Sequence, residues 1–293
     1  MTSGSFSTTA FVFDGGGSLG AVEVGMLKAL VSNGVEADFV VGSSVGALNA
    51  AFFAGQPTLS GVERLEQIWL GIRRGDVFPL NALGGFAGFF GWRNHFVDST
   101  ALMNLIERNI PFQKLEDSQL PCHVVATDCL GGGEIRFSSG PAAKTILASA
   151  AIPGIFPPVR IGDRYLIDGG VVNNSPISVA VELGATRVVV LPTGFTCAIE
   201  QPPSSAISMA LHASDLLIAR QLVQDAQRLS GQVELIIVPP LCPLAVSSYD
   251  FSRSQELIQL AAQTTEAWLA SGGLSPRGIP DALLSHDHRV VQS

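Results

Sequence analysis

Val40-Val41-Gly42-Ser43-Ser44-Val45-Gly46 is the stretch on which the reading of the whole chain turns. An apolar run passes into a turn of small residues and then into a helix-forming segment, and Gly42 to Gly46 spell G-x-S-x-G. In a nucleophile elbow of that pattern a serine sits on a strained strand-to-helix turn with its hydroxyl exposed. Glycine suits both flanks because so tight a turn leaves no room for a β-carbon. The Ala- and Phe-rich segment Val45 to Ala54 predicts a helix stopped at Gly55. Its first turn would aim free N–H groups and a positive dipole end at Ser44, lowering the cost of an alkoxide there. The competing reading of so short a pattern is an ordinary strand-turn-helix corner.

Upstream, Ala10-Phe11-Val12-Phe13 has the continuous apolar form of a strand buried on both faces, and it runs into Asp14-Gly15-Gly16-Gly17-Ser18-Leu19-Gly20. A helix follows, with Val24, Leu27, Leu30 and Val31 on one side and Gly34 as its stop. Gly15, Gly17 and Gly20 satisfy G-x-G-x-x-G, which serves a dinucleotide pyrophosphate; the same exposed N–H groups would equally stabilise an oxyanion beside a serine. A dinucleotide site needs an acidic residue at the end of the second strand, whereas Asp38 precedes Phe39-Val40-Val41. What stands at the right end is Gly42-Ser43-Ser44. Neighbouring parallel strands share one C-terminal edge, so glycine loop and serine elbow are expected to face each other across a crevice.

Further strands are expected at Pro121 to Thr127, at Glu134 to Ser138 beyond the turn Gly131-Gly132-Gly133, at Tyr165-Leu166-Ile167, and at Arg187 to Leu191 and Leu235 to Val238. Helices are expected from a capping box at Ser60-Gly61-Val62-Glu63, with Leu59 as a staple, and after the cap Asp98-Ser99. Others are expected at Ala142 to Ala151, Ser204 to Leu229 and Ser252 to Trp268. The βαβ alternation predicts an α/β fold with a mainly parallel sheet. Residues 1–271 read as one domain, with 272–293 as a Gly/Pro-punctuated tail.

The chain has 293 residues, 47% hydrophobic and only 14% charged, enough to fill a large core. Its net charge of -8 argues against nucleic acid and against electrostatic docking on anionic lipid. No basic leader and no apolar run of about 18 residues is visible, so a cytoplasmic protein, at most peripheral at membranes, is expected. Cys122, Cys129, Cys197 and Cys242 form no C-x-x-C and read as reduced, buried small hydrophobes. His286-Asp287-His288 alone is too sparse for a metal, and the dispersed carboxylates suggest no Ca²⁺ site. No metal or other cofactor is expected.

A nucleophilic serine needs a base. His95, His123, His212, His286 and His288 all fall away from strand ends, in a loop, a strand, a helix and the tail. Asp14, Asp128 and Asp168 come just after apolar runs, and an aspartate bonded directly to a serine hydroxyl can take its proton. Spacing alone does not choose among the three.

Four ordered blocks carry a resemblance that does choose: Asp14-Gly-Gly-Gly-Ser-Leu-Gly20, Gly42-Ser-Ser-Val-Gly46, Ser149-Ala-Ala-Ile-Pro-Gly-Ile-Phe-Pro-Pro158 and Asp168-Gly-Gly-Val-Val-Asn-Asn-Ser-Pro176. Over roughly Phe11 to Leu191 the chain resembles the patatin-like phospholipase family. That resemblance implies a three-layer α/β/α fold and a metal-free Ser-Asp dyad that hydrolyses acyl esters of lipids through an acyl-enzyme. It makes Ser44 the nucleophile and Asp168 the general base, with Gly15, Gly16 and Gly17 lining the oxyanion hole. Leu19 departs from the pattern, since many members carry Arg or Lys there. The alternatives are a non-catalytic lipid-binding or regulatory protein on the same scaffold and a dinucleotide-binding oxidoreductase.

Gly84-Gly-Phe-Ala-Gly-Phe-Phe-Gly-Trp92 sets aromatics among glycines, as expected of a lid or a transient lipid contact, or else of a loop tucked into the core. Replacing Phe89, Phe90 and Trp92 with Ser is expected to weaken sedimentation with lipid vesicles while sparing hydrolysis of a soluble ester; unchanged sedimentation would remove the contact.

Overall fold

The computed structural model describes residues 7–79, 94–199, 201–275, 278–286 and 288. Eight strands form its sheet: β1 (Thr9–Phe13), β2 (Phe39–Ser43), β3 (Cys122–Asp128), β4 (Glu134–Phe137), β5 (Val159–Ile161), β6 (Arg164–Asp168), β7 (Arg187–Leu191) and β8 (Glu234–Ile237). They pair in the order β5-β6-β3-β2-β1-β7-β8, with β4 also on β3. The pairs joining β3, β2, β1, β7 and β8 are parallel, while β4, β5 and β6 pair antiparallel.

Alternation along these strands sorts the side chains onto two faces, as the two-residue period of a strand requires. Phe11, Phe13, Val40, Val189 and Leu191 enter one apolar cluster, and Ala10, Val12, Val41, Val188 and Val190 the other. The larger cluster lies under α1 (Gly20–Ser32), α2 (Val45–Gly55), α3 (Leu59–Gly71), α5 (Thr100–Asn109), α6 (Ala142–Ser149) and α9 (Ser254–Ala270), with the single turn α4 (Arg74–Val77) at its rim. The smaller lies under α7 (Ile177–Glu182) and α8 (Ala206–Leu229). The layers are therefore α/β/α, and both helical layers exist because both sheet faces are apolar.

Several element ends differ from the sequence expectation. Helix α3 is capped by Thr58, whose Oγ1 accepts from Gly61 N at 3.2 Å, and Ser60 lies inside its first turn. Leu59 is exposed, so it makes no staple. Strand β5 had no signal, being three residues followed by a turn. The cysteines also differ, for only Cys122 is buried and Cys129 and Cys242 are exposed. The segment after Gly272 is tied to the core through Leu283, which is 4% exposed in the smaller cluster. No helix among the described residues is long and apolar enough to cross a membrane. The aromatic stretch from Gly84 to Trp92 lies outside the described residues.

Helices α1 and α9 approach so closely that a β-carbon on Gly25 would fall 2.3 Å from Ile258 O and 2.7 Å from Ala261 Cβ. Alanine is intrinsically the better helix former by about 1 kcal/mol, but overpacking costs about 1–3 kcal/mol. Gly25→Ala is thus expected to lower the denaturant midpoint, whereas Gly71→Ala, with nothing within 4 Å of its added carbon, leaves it level or raises it. A gain in both would show that the helices part at no cost.

Candidate active site

Strand β2 ends at Ser43 and the chain turns sharply into α2 through Ser44, whose φ of 53° makes it the only described non-glycine residue with positive φ. A side chain there costs roughly 1–3 kcal/mol unless its surroundings impose the geometry. They do. The Ser44 N–H donates to Ser149 Oγ at 2.9 Å, and that hydroxyl donates to Val125 O at 2.5 Å, tying the elbow to β3 through the end of α6. The flanking glycines let the turn close, since a β-carbon on Gly46 would meet Phe13 O at 2.3 Å and one on Gly42 would meet Gly46 O at 2.4 Å.

Asp168 reaches this serine through strand register. Val124 and Val125 pair with both β2 and β4, which must hold opposite edges of β3; Ala126 and Thr127 pair with both β4 and β6. Strand β6 therefore takes over the edge that β2 leaves. Ser43 lies level with Val125 and Asp168 with Ala126, so two oppositely directed strands bring their C-terminal ends together. The Ser44 hydroxyl donates to Asp168 Oδ2 at 2.6 Å, and Gly170 N donates to Asp168 Oδ1 at 2.7 Å. Both side chains are nearly out of water, at 8% and 6% exposure. Burial pushes the Asp168 carboxyl up to about 6, although the bonds from Ser44 and Gly170 pull it down.

The glycine loop closes the other side. Gly15 lies against the serine, for a β-carbon on it would sit 3.0 Å from Ser44 Cβ. Its N–H, however, is committed to Asn174 O at 3.2 Å, and its carbonyl accepts from Asn174 Nδ2 at 3.1 Å and Thr193 Oγ1 at 2.9 Å. Ser18 N donates to Ser248 O at 2.7 Å and Ser18 Oγ to Ser247 O at 3.0 Å. Gly16 and Gly17, whose N–H groups donate to no acceptor among the described residues, are left between these two anchors. Leu19 is fully packed in the larger cluster, which is why an apolar side chain suits the position.

The other candidates lie elsewhere. Asp128 caps a turn, Oδ1 accepting from Leu130 N at 3.1 Å and Gly131 N at 3.2 Å. Asp14, beside the glycine loop, is buried, and that burial raises its carboxyl well above the ordinary range. No described histidine hydrogen-bonds Ser44 or Asp168; His123 packs edge-on against Phe39. Sequence reasoning assigned no role to Ser149, Asn174, Thr193 or Ser248. The first two lie inside the quoted blocks and Thr193 lies just past β7, but nothing marks Ser248 before folding.

From Ser44 and Gly17 an apolar pocket of about 730 Å³, counted out to solvent, runs between α2, α3 and α5. Leu48, Phe52, Leu65, Trp69, Leu102 and Leu105 line it. Asn49 and Asn109 also line it, and Asn49 is already satisfied: Nδ2 donates to Gly20 O at 3.0 Å and Glu23 Oε2 at 2.7 Å, while Oδ1 accepts from Trp69 Nε1 at 2.9 Å.

A family model described as patatin-like phospholipase matches residues 11–181, a span holding the glycine loop, Ser44 and Asp168. The chain belongs to the patatin-like phospholipase family. Among its relatives are patatin-like phospholipase domain-containing protein 7 of Rattus norvegicus, 27% identical over 194 residues, covering 63% of this chain and 13% of that protein. Patatin-like phospholipase domain-containing protein 6 of Homo sapiens is 29% identical over 190 residues, covering 64% and 13%. Neuropathy target esterase sws of Drosophila melanogaster is 26% identical over 191 residues, covering 64% and 13%. The alignments thus take in only about an eighth of each of these relatives. VipD from Legionella pneumophila aligns with a TM-score of 0.47 at 14% identity, covering 90% of this chain and 67% of that one.

The raised carboxyl at Asp168 carries a stability consequence. Its native pKa, about 6, lies above the unfolded value near 3.8, so the folded state binds the proton more tightly and stability falls as pH rises through that window. Asp168→Asn removes the penalty while keeping an acceptor for Gly170 N. Denaturant titration is expected to find the variant no less stable than the wild type near pH 4 and more stable, by up to about 3 kcal/mol, near pH 8. A variant that loses ground between those pH values would mean that the carboxylate is favoured by its site.

Proposed function

We propose that the chain is a lipid acyl hydrolase in which Ser44 and Asp168 act as a two-residue catalytic unit through an acyl-enzyme. The observation that carries this reading is the 2.6 Å hydrogen bond from Ser44 Oγ to Asp168 Oδ2 at the head of an apolar pocket. Family membership supports the substrate class, acyl esters of lipids; the names of relatives state phospholipase and esterase activities for those proteins only.

In this mechanism Asp168 takes the Ser44 proton as Oγ attacks the ester carbonyl, with the acyl chain lying among Leu48, Phe52 and Leu65. The negative charge moves onto the carbonyl oxygen, where the free N–H groups of Gly16 and Gly17 receive it; Gly15 shapes the loop with its own N–H engaged. Asp168 returns the proton to the departing alcohol. Water then repeats the sequence on the acyl-enzyme, giving up its proton to Asp168 and restoring the Ser44 hydroxyl. An aspartate lifted to about 6 remains ionised at neutral pH yet is a stronger base than an exposed one. No imidazole has to be oriented, so no third side chain is needed.

Hydrolysis of a p-nitrophenyl ester series is the test, with wild type, Ser44→Ala and Asp168→Asn compared at equal folding by circular dichroism. Both variants are expected to fall by 100-fold or more, a loss of roughly 3 kcal/mol or more in transition-state stabilisation. Wild-type kcat/KM should rise through about pH 6 to a plateau and favour chains long enough to fill the pocket. Activity surviving in Ser44→Ala would overturn the assignment; a wild type inert on every ester and unlabelled by a fluorophosphonate would favour lipid binding without turnover.

A further inference from the structure

Away from the dyad, three stretches distant in sequence bring two thiols and two imidazoles to one point. Cys197 lies in the loop after β7, Cys242 in the loop after β8, and His286 and His288 in the C-terminal segment, and their ligand atoms all fall within 4.8 Å of one another. Cys197 Sγ and Cys242 Sγ are 4.0 Å apart. His288 Nε2 stands 3.5 Å from Cys197 Sγ and 3.2 Å from Cys242 Sγ, and His286 Nε2 is 3.3 Å from Cys242 Sγ.

These distances are close to the edges of a small tetrahedron. With Zn–S near 2.3 Å and Zn–N near 2.0–2.1 Å, a tetrahedral Cys₂His₂ site has S to S edges of about 3.8 Å and S to N edges of about 3.5 Å. Hydrogen bonding alone explains the cluster poorly, because Cys242 Sγ faces three neighbours and one S–H can serve one of them. Surrounding atoms already orient the ligands. His286 Nδ1 lies 2.6 Å from Leu284 O, which requires the proton on Nδ1 and leaves the Nε2 lone pair facing Cys242. Leu244 N donates to Cys197 Sγ at 3.4 Å.

We propose that Cys197, Cys242, His286 and His288 bind a zinc ion. Binding displaces one proton from each thiol, and two thiolates with two neutral imidazoles balance the charge of Zn²⁺, so the filled site carries no net charge. Four protein ligands leave no open position, which makes the ion structural. It fastens the C-terminal segment to the two loops that hold the glycine loop. Cys197 N and Ala198 N both donate to Leu244 O at 3.0 Å, Thr196 Oγ1 donates to Val246 O at 2.7 Å, and these same loops supply Thr193, Ser247 and Ser248 to Gly15 and Ser18.

Elemental analysis of the full chain purified under reducing conditions is expected to find about one zinc per molecule, removable by chelation with a fall in Tm that added zinc reverses. Cobalt(II) in its place should show thiolate charge-transfer absorption and the strong visible bands of a tetrahedral ion. Cys242→Ser and His288→Ala should each weaken zinc binding by more than about tenfold; the second replaces an exposed side chain and serves if the first does not fold. A metal-free protein that takes up no zinc, zinc binding undiminished in both variants, or a mass short by two hydrogens from a Cys197–Cys242 disulfide in the native protein would each overturn the proposal.

Discussion

Ser44 keeps a backbone conformation that no amino acid other than glycine adopts cheaply, and neighbouring hydrogen bonds and close packing hold it there. Relaxing φ at this residue would pull its N–H from Ser149 and swing α2 away from the ends of β1, where Gly46 sits against two carbonyl oxygens. The strain is thus shared with the packing of α2 between sheet and α3. Its product is a hydroxyl lifted clear of the strand and aimed where β6 delivers Asp168.

Two buried acids lie beneath the glycine loop. Burial raises Asp14 and Glu23 well above the ordinary carboxyl range, and the neighbouring Asp14 adds to the rise at Glu23. Glu23, through Asn49 and Trp69, also ties α1 to α2 and α3.

The two ends of the sheet divide the work. On one side β6 inserts its aspartate into the lane that β2 leaves, a placement made possible by its antiparallel direction. On the other, the loops following β7 and β8 grip the glycine loop through Thr193, Ser247 and Ser248, and the Ser248 hydroxyl donates at 2.9 Å to Asp215 of α8. Burial pushes that aspartate up to about 6 against the Ser248 bond. The glycine-loop side of the site is therefore held from a layer of loops that includes the Cys197 and Cys242 cluster, and the Ser44 side from β3 and α6.

The amino-acid sequence by itself determined what depends on neighbours in the chain. Apolar runs of strand length, G-x-S-x-G between strand and helix, and the glycine loop after Phe13 report local backbone requirements, so the α/β class, β1, β2, α1 and α2 could be read before folding. Asp168 stood among three equivalent aspartates until the resemblance of the four blocks singled it out, because nothing local says which strand end meets Ser44. Tertiary structure alone decided that β6 runs antiparallel into the edge vacated by β2, that Gly15 turns its N–H to Asn174, and that Ser149 and Ser248 hold the site from about a hundred or more residues away. It also moved Cys197 and Cys242 from the buried, inert thiols expected of them to the side of His286 and His288. The physical reason is common to all of these. Hydrogen bonds and ligand clusters between distant segments follow from register and packing, which no window of sequence contains.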